Sequence, residues 1–125
     1  MKYLVMIISL LLIPIPSFAE DAPPHVMDVI LVNTNGDDAK YQEIFDQITA
    51  ASKKAGSTGV RRMWGAGYAG TDTGSVITTI EYPSLKSLAE SNEKLAASED
   101  FQAAIAAFVE AGMIADSRSL LFNVR

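Results

Sequence analysis

The sequence predicts one α+β domain with the element order β-α-β-β-α-β, in which a four-stranded antiparallel sheet carries its helices on one face. Two observations predict this class. Four segments are rich in β-branched residues or alternate apolar with polar residues, as strands do. The segments between the first and second and between the third and fourth of them repeat apolar residues at helical spacing and begin at capping residues.

The first strand and the first helix are the clearest elements. Residues 26–32, Val-Met-Asp-Val-Ile-Leu-Val, predict a central strand because β-branched side chains dominate them. Asp37 and Asp38 supply a cap and a first-turn charge for a helix expected over residues 38–55. Gly56 is placed to end that helix.

A hairpin is predicted next. Residues 58–68 and 75–82 alternate their side chains between two faces, and turn-forming residues lie between them. Arg61 and Arg62 therefore point to opposite faces of the first of these strands. We do not expect them to form one anion-binding clamp, and a solvated or ion-paired role is expected for both.

The remaining chain predicts helix and then a closing strand. Ser84 can cap a helix and Ser98 is a second capping point, so residues 84–111 form either two helices or one kinked helix. Residues 117–124 alternate again and predict the last strand. The resulting order is that of the ferredoxin-like, or split βαβ, arrangement.

The glycines of the hairpin match a nucleotide-binding pattern by spacing alone. Gly65, Gly67 and Gly70 fit G-x-G-x-x-G, which binds dinucleotides when a helix directly follows the glycines. Here another strand-like run follows, so we reject that function. We interpret Gly65 and Gly67 as strand interruptions that allow close packing or, alternatively, leave space in a cavity. Gly70 and Gly74 are interpreted as loop glycines.

Composition excludes several classes of function. The 125 residues carry a net charge of −5 without a basic cluster, which argues against nucleic acid and anionic membranes as partners. The absence of cysteine excludes disulfides, thiol nucleophiles and thiolate metal sites. His25 is the single histidine and no metal-binding motif occurs, so we predict neither a metal nor a cofactor.

The N-terminal segment has the pattern of a secretory signal peptide. Lys2 precedes a short apolar run, and small residues precede a cleavage point after Ala19. The run is shorter than the ~20 residues that a membrane-spanning helix needs. We therefore expect residues 1–19 to be removed on export to the periplasm or the cell exterior, with no membrane attachment afterwards. A flexible lead-in is expected over residues 20–25 and the folded domain over residues 26–125.

A sheet with both helices on one face leaves its other face uncovered. Large side chains at alternating positions make that face too apolar for water, and a second subunit could cover it in a face-to-face homodimer with a shared interior. The candidates for lining a ligand cavity are Asn33, Arg62, Trp64, Tyr68, Tyr82 and Asn123. Plain packing at the interface is the alternative role for the aromatic residues.

Two stretches, IEYPSLKSLAESNEKLAASEDFQAAIAAF and the ending DSRSLLFNVR, resemble the dimeric α/β-barrel superfamily. Within it the chain is most similar to small NIPSNAP-type and antibiotic-biosynthesis-monooxygenase-like proteins. The matching positions are Ser84, Leu85, Leu88, Leu95, Asp100 and Phe101. The resemblance implies a ferredoxin-like protomer and a homodimer whose two sheets enclose a barrel.

For function the resemblance implies more than one class. Some relatives are cofactor-independent monooxygenases of aromatic polyketides that keep an Asn, a Trp and an Arg in the cavity, and here Trp64 with Asn33 or Asn123 matches by residue type. Others bind haem through a helical His, which the predicted helices lack. We expect a protein that binds a small, partly aromatic molecule in the barrel. An oxygenase and a structural dimer without ligand are the alternatives, and no catalytic residue is predicted.

Overall fold

A computed structural model describes residues 25–67, 70 and 74–124. Their elements are β1 (Val26–Asn33), α1 (Asp38–Ala55), β2 (Val60–Gly65), β3 (Val76–Tyr82), α2 (Leu85–Ala96), α3 (Glu99–Glu110) and β4 (Ile114–Phe122). The strands form one antiparallel sheet in the order β2-β3-β1-β4, which confirms the predicted α+β class and the ferredoxin-like arrangement. The expected signal peptide, Tyr68 and most of the loop between β2 and β3 lie outside the described residues.

Local capping determines where the helices begin and end. Asp37 accepts a hydrogen bond from a first-turn N–H of α1 at 3.0 Å, and Gly56 ends α1 with a left-handed φ of 89°. The Ser84 and Ser98 side chains cap α2 and α3 in the same way. The segment from residue 84 to residue 111 is therefore two helices, the first of the two alternatives that the sequence allowed.

Two strands differ in extent from the prediction. β2 ends at Gly65 instead of continuing to residue 68, because its pairing with β3 stops where Gly65 lies opposite Val76. β4 begins at Ile114, three residues before the predicted start, because it pairs with β1 from Asn33 onward. A partner strand therefore sets these bounds, and alternation along the strand itself does not reveal them.

The helices cover one face of the sheet, which we call the helix face. Its hydrophobic core joins β1 and β3 to α1 and α3 and contains Val32, Tyr41, Ile44, Ile48, Val76, Ala104 and Met113. The hydroxyl groups of Tyr41 and Thr78 lie 2.5 Å apart and connect α1 to β3 within this core. None of the described helices is long and apolar enough to cross a bilayer.

The opposite face, which we call the open face, is not covered by any described helix. Its side chains belong to the other parity of the strands and include Met27, Val29, Leu31, Arg62, Trp64, Ile77, Thr79, Glu81, Ser119 and Leu121. Trp64 and Leu121 are 52% and 53% exposed. The open face therefore keeps large apolar groups in contact with water, as the sequence predicted for a single subunit.

Candidate functional site

A cavity of about 320 Å³ lies between the helix face and the joint that connects α2 to α3. We call it the sheet–helix cavity. All four strands and both of these helices contribute to its lining, which consists of Ile30, Arg61, Ile80, Tyr82, Asn92, Leu95, Ala96, Phe101, Gln102, Ile105 and Arg118. Apolar walls with a few polar groups, in a volume near the lower end for small-molecule sites, are typical of ligand pockets.

Arg61 is the half-buried cation of this cavity. Its guanidinium carbon lies 5.7 Å from the centroid of the Phe101 ring, within the range of a cation–π contact. The Arg61 Nε atom is buried and has no hydrogen-bond partner in the part of the chain that the structure describes. No carboxylate of the described residues forms an ion pair with it. Burial lowers the pKa of Arg61 below its usual value; the positive charge of Arg118 acts in the same direction, whereas the Asp28 carboxylate acts in the opposite one.

Arg118 reaches the same cavity from β4, but a carboxylate neutralises it. The Arg118 Nε donates to both carboxylate oxygens of Asp28 at 2.9 and 3.0 Å, and its Nη2 donates to one of them as well. The Asp28 side chain is 4% exposed, whereas that of Arg118 is 62% exposed. The hydrogen bond to Asp28 raises the pKa of Arg118. Two guanidinium groups and one carboxylate leave the site with one excess positive charge.

Tyr82 forms one wall of the cavity and is held there by close packing. It is buried, and this burial raises the pKa of its phenol. A Cβ added at Gly59 would lie 2.6 Å from Ile80 Cγ2 and 2.8 Å from the Tyr82 ring, so glycine is required at that position. The same segment is tied to α2, because the Thr58 N–H donates to Ser91 Oγ at 3.1 Å. These contacts determine how β2 enters the sheet.

Two other hollows are less suited to a ligand. One, between α1 and α3, is lined by alanines and by Lys54 and Asp100, whose side chains already satisfy each other at 2.6 Å. Another, beside the start of α1, carries the acidic Asp38 and Asp116. The described residues contain no cluster of three or more side chains that could hold a metal ion.

The residues that the sequence proposed for a ligand cavity do not lie together. Of those that the structure describes, Tyr82 lines the sheet–helix cavity. Arg62 and Trp64 lie on the open face, where Arg62 pairs with Glu81 at 3.2 Å and the Trp64 indole donates to Thr79 at 2.8 Å.

The two candidate asparagines lie at strand ends. Asn33 is exposed, and its carboxamide oxygen accepts the backbone N–H of Asn35 at 2.9 Å. Asn123 follows β4, and its backbone N–H donates to the carbonyl of His25 at 3.0 Å. Neither lines the sheet–helix cavity.

The surroundings of Arg61 differ from the solvated or ion-paired role expected from the sequence: it is half-buried, and it forms no ion pair among the described residues, because its strand position turns it toward the helices. A Cβ added at Gly65 or Gly67 would meet no described atom within 4 Å, so close packing, one of the two roles considered for these glycines, is not seen, whereas Gly59 does permit a close approach. Arg61 and Arg62 must point to opposite faces of β2. The sequence would have identified Arg61 as the cavity residue if it had shown which of the two faces the helices cover.

No protein-family model and no curated protein matches the sequence significantly. Solved structures do match: a NIPSNAP family protein from Agrobacterium tumefaciens superposes with a TM-score of 0.59 at 19% identity, covering 82% of this chain and 86% of the other. A NIPSNAP-like domain protein from Burkholderia xenovorans gives 0.58 at 10% identity, with 82% and 84% covered. The chain has the fold of these proteins.

A third solved structure comes from the other group that the sequence resembles, the antibiotic-biosynthesis-monooxygenase-like proteins. A candidate antibiotic biosynthesis monooxygenase from Caulobacter crescentus superposes with a TM-score of 0.50 at 20% identity, covering 82% of this chain and 88% of the other. Identities of this size show a common fold and do not carry over an activity. The ferredoxin-like fold that the sequence predicts is thus shared with both groups of solved structures.

Proposed function

We propose that this protein binds a small, partly aromatic molecule in the sheet–helix cavity. The observation that carries the proposal is the Arg61 guanidinium, which has no ion-pair partner among the described residues and lines a pocket walled by the rings of Tyr82 and Phe101. A hydrogen bond between a bound acceptor and this charged group would contribute about 1.5–3 kcal/mol. The sheet–helix cavity lies within one protomer. The sequence instead suggested that the ligand binds in a barrel enclosed by the sheets of two protomers.

Native mass spectrometry of the protein purified from the periplasm tests this proposal. We expect a small-molecule adduct on the wild-type protein and its loss in Ala96→Trp, because Ala96 lines the cavity and a bulky side chain would fill it. Ala103→Trp is the matched control, since Ala103 lies on α3 in the groove beside α1. A wild-type protein without adduct, or equal occupancy in both variants, would contradict the proposal.

We also propose that two copies associate through the open face. Large apolar side chains are exposed there, and β2 and β4 are uncovered edges of the sheet. We expect a dimer by sedimentation at micromolar concentration. Leu121→Arg, on the open face, should produce monomers, whereas Val109→Arg, exposed on α3, should not. A wild-type protein that sediments as a stable monomer would contradict this interface.

Export is proposed from the signal-peptide pattern of residues 1–19. The intact mass of the protein recovered from the periplasm tests it, and the expected N-terminus is Glu20. Recovery of full-length chain from the cytoplasm alone would contradict export. This measurement is independent of ligand binding.

A cofactor-independent oxygenase is the second candidate function, and it is favoured by the name of the Caulobacter crescentus relative. It predicts that the ligand identified above gains oxygen when it is incubated with the protein in air. A ligand that is recovered unchanged supports binding or sensing. A protein that dimerises but carries no ligand would support the purely structural alternative.

A further inference from the structure

We propose that the molecule bound in the sheet–helix cavity is a monocarboxylate and that Arg61 is the residue that binds its carboxylate. This inference rests on the proposed function, because it names the chemical class of the same ligand. It follows from the geometry around the guanidinium, from the balance of charge in the cavity and from the nature of the remaining walls.

The geometry leaves the outer end of the Arg61 guanidinium available. The guanidinium carbon lies 5.7 Å from the centroid of the Phe101 ring, and the Nε is buried, so a ligand meets the two Nη groups instead. These two groups form a pair of parallel donors that matches the two oxygens of a carboxylate. A single carbonyl oxygen could satisfy one of the two donors fully but not both.

The charge balance favours one negative charge on the ligand. Arg118 is compensated by Asp28, whereas Arg61 has no ion-pair partner among the described residues. No described residue that lines the cavity is acidic. A carboxylate would bring the site close to neutrality. A phosphate monoester carries about −1.5 to −2 and would leave an excess of negative charge in a buried site.

The other walls suit the organic part of such an acid. Ile80 and Ile105 are apolar, and Tyr82 presents an aromatic ring whose phenol is uncharged at neutral pH, the more so because burial raises its pKa. The volume of about 320 Å³ limits the ligand to a compact molecule. A small aromatic acid meets all of these conditions together.

Calorimetric titration of the mature wild-type protein tests the inference with three probes: benzoate, phenylacetate and indole-3-acetate, each compared with its neutral amide. We expect the carboxylates to bind at least tenfold more tightly than the amides. Arg61→Gln should abolish this preference. Arg62→Gln is the matched control and should keep it, because its side chain lies on the opposite face of the sheet and pairs with Glu81.

A second measurement uses the unmodified protein and so does not depend on whether Arg61→Gln folds. The NMR signal of the Arg61 Nε–H group should move on addition of a carboxylate that binds and stay in place with the amide. Amides that bind as tightly as the acids would overturn the monocarboxylate inference and leave the proposed function standing. Inorganic phosphate that moves the Arg61 signal as far as the acids do would also overturn it. Failure of every probe to bind, together with the absence of any adduct in native mass spectrometry, would overturn both proposals.

Discussion

Arg61 and Arg62 are neighbours on one strand, yet their side chains differ in burial and in ion pairing. Arg62, on the open face, pairs with Glu81, which also contacts His25 at 3.0 Å, and water reaches all three side chains. Arg61, on the helix face, has an aromatic ring over its guanidinium and no ion pair among the described residues. Charged groups on the open face are solvated whether or not they pair. On the helix face a buried charge needs a partner, as Asp28 has in the partly exposed Arg118, or a ligand.

The largest expected difference in stability is between two variants, one that removes an ion pair on the helix face and one that removes an ion pair on the open face. Arg118→Met leaves the Asp28 carboxylate buried without its partner, so the free energy of unfolding should fall by about 3 kcal/mol, the lower end for a buried pair because the Arg118 side chain is 62% exposed. Arg62→Met breaks an exposed pair and should cost less than about 1 kcal/mol. Urea denaturation measures both. Adding Asp28→Asn to Arg118→Met should recover part of the lost free energy. Equal losses in the two single variants would contradict the difference between the two faces.

A smaller difference in stability is expected between alanine substitutions at two glycines of the β2 region. Gly59→Ala forces a methyl group against Ile80 and Tyr82 and should lower the free energy of unfolding by about 1–3 kcal/mol. Gly65→Ala enters open space and should change it by less than about 0.5 kcal/mol. Thermal denaturation of the two variants gives the difference. A Gly59→Ala protein as stable as Gly65→Ala would mean that the wall of the cavity is loosely packed.

The smallest expected effect is a change in the stability of the protein at alkaline pH. Burial raises the pKa of both Tyr41 and Tyr82 in the folded state, so the unfolded chain loses these protons first as the pH rises. Their contribution to stability is therefore complete below the unfolded value of 10.0 and is lost as the pH rises through the folded pKa. Tyr82→Phe should reduce the slope of stability against pH above this point by up to about 1.4 kcal/mol per pH unit. An unchanged slope in denaturation experiments would show that Tyr82 is not buried as a neutral phenol.

Local signals in the sequence predicted α1 to its observed bounds, because Asp37 and Gly56 act on the backbone next to them. The start of β4 was misplaced, since pairing with β1 determines it. The cavity was missed for a related reason: both parities of β1 carry apolar residues, and alternation alone does not reveal which parity the helices cover. The prediction therefore favoured Arg62 and Trp64, whereas the helices face Arg61.

The joint between α2 and α3 separates the part of the molecule that maintains the fold from the part that lines the sheet–helix cavity. Asn92, Ala96 and Gln102 line the cavity around this joint but are not members of the core cluster that α1 builds with the sheet. Substitutions at these three positions can reshape the pocket while the core keeps its packing. A few changes at this corner can thus alter the size and polarity of the cavity without altering the packing that holds the sheet to α1.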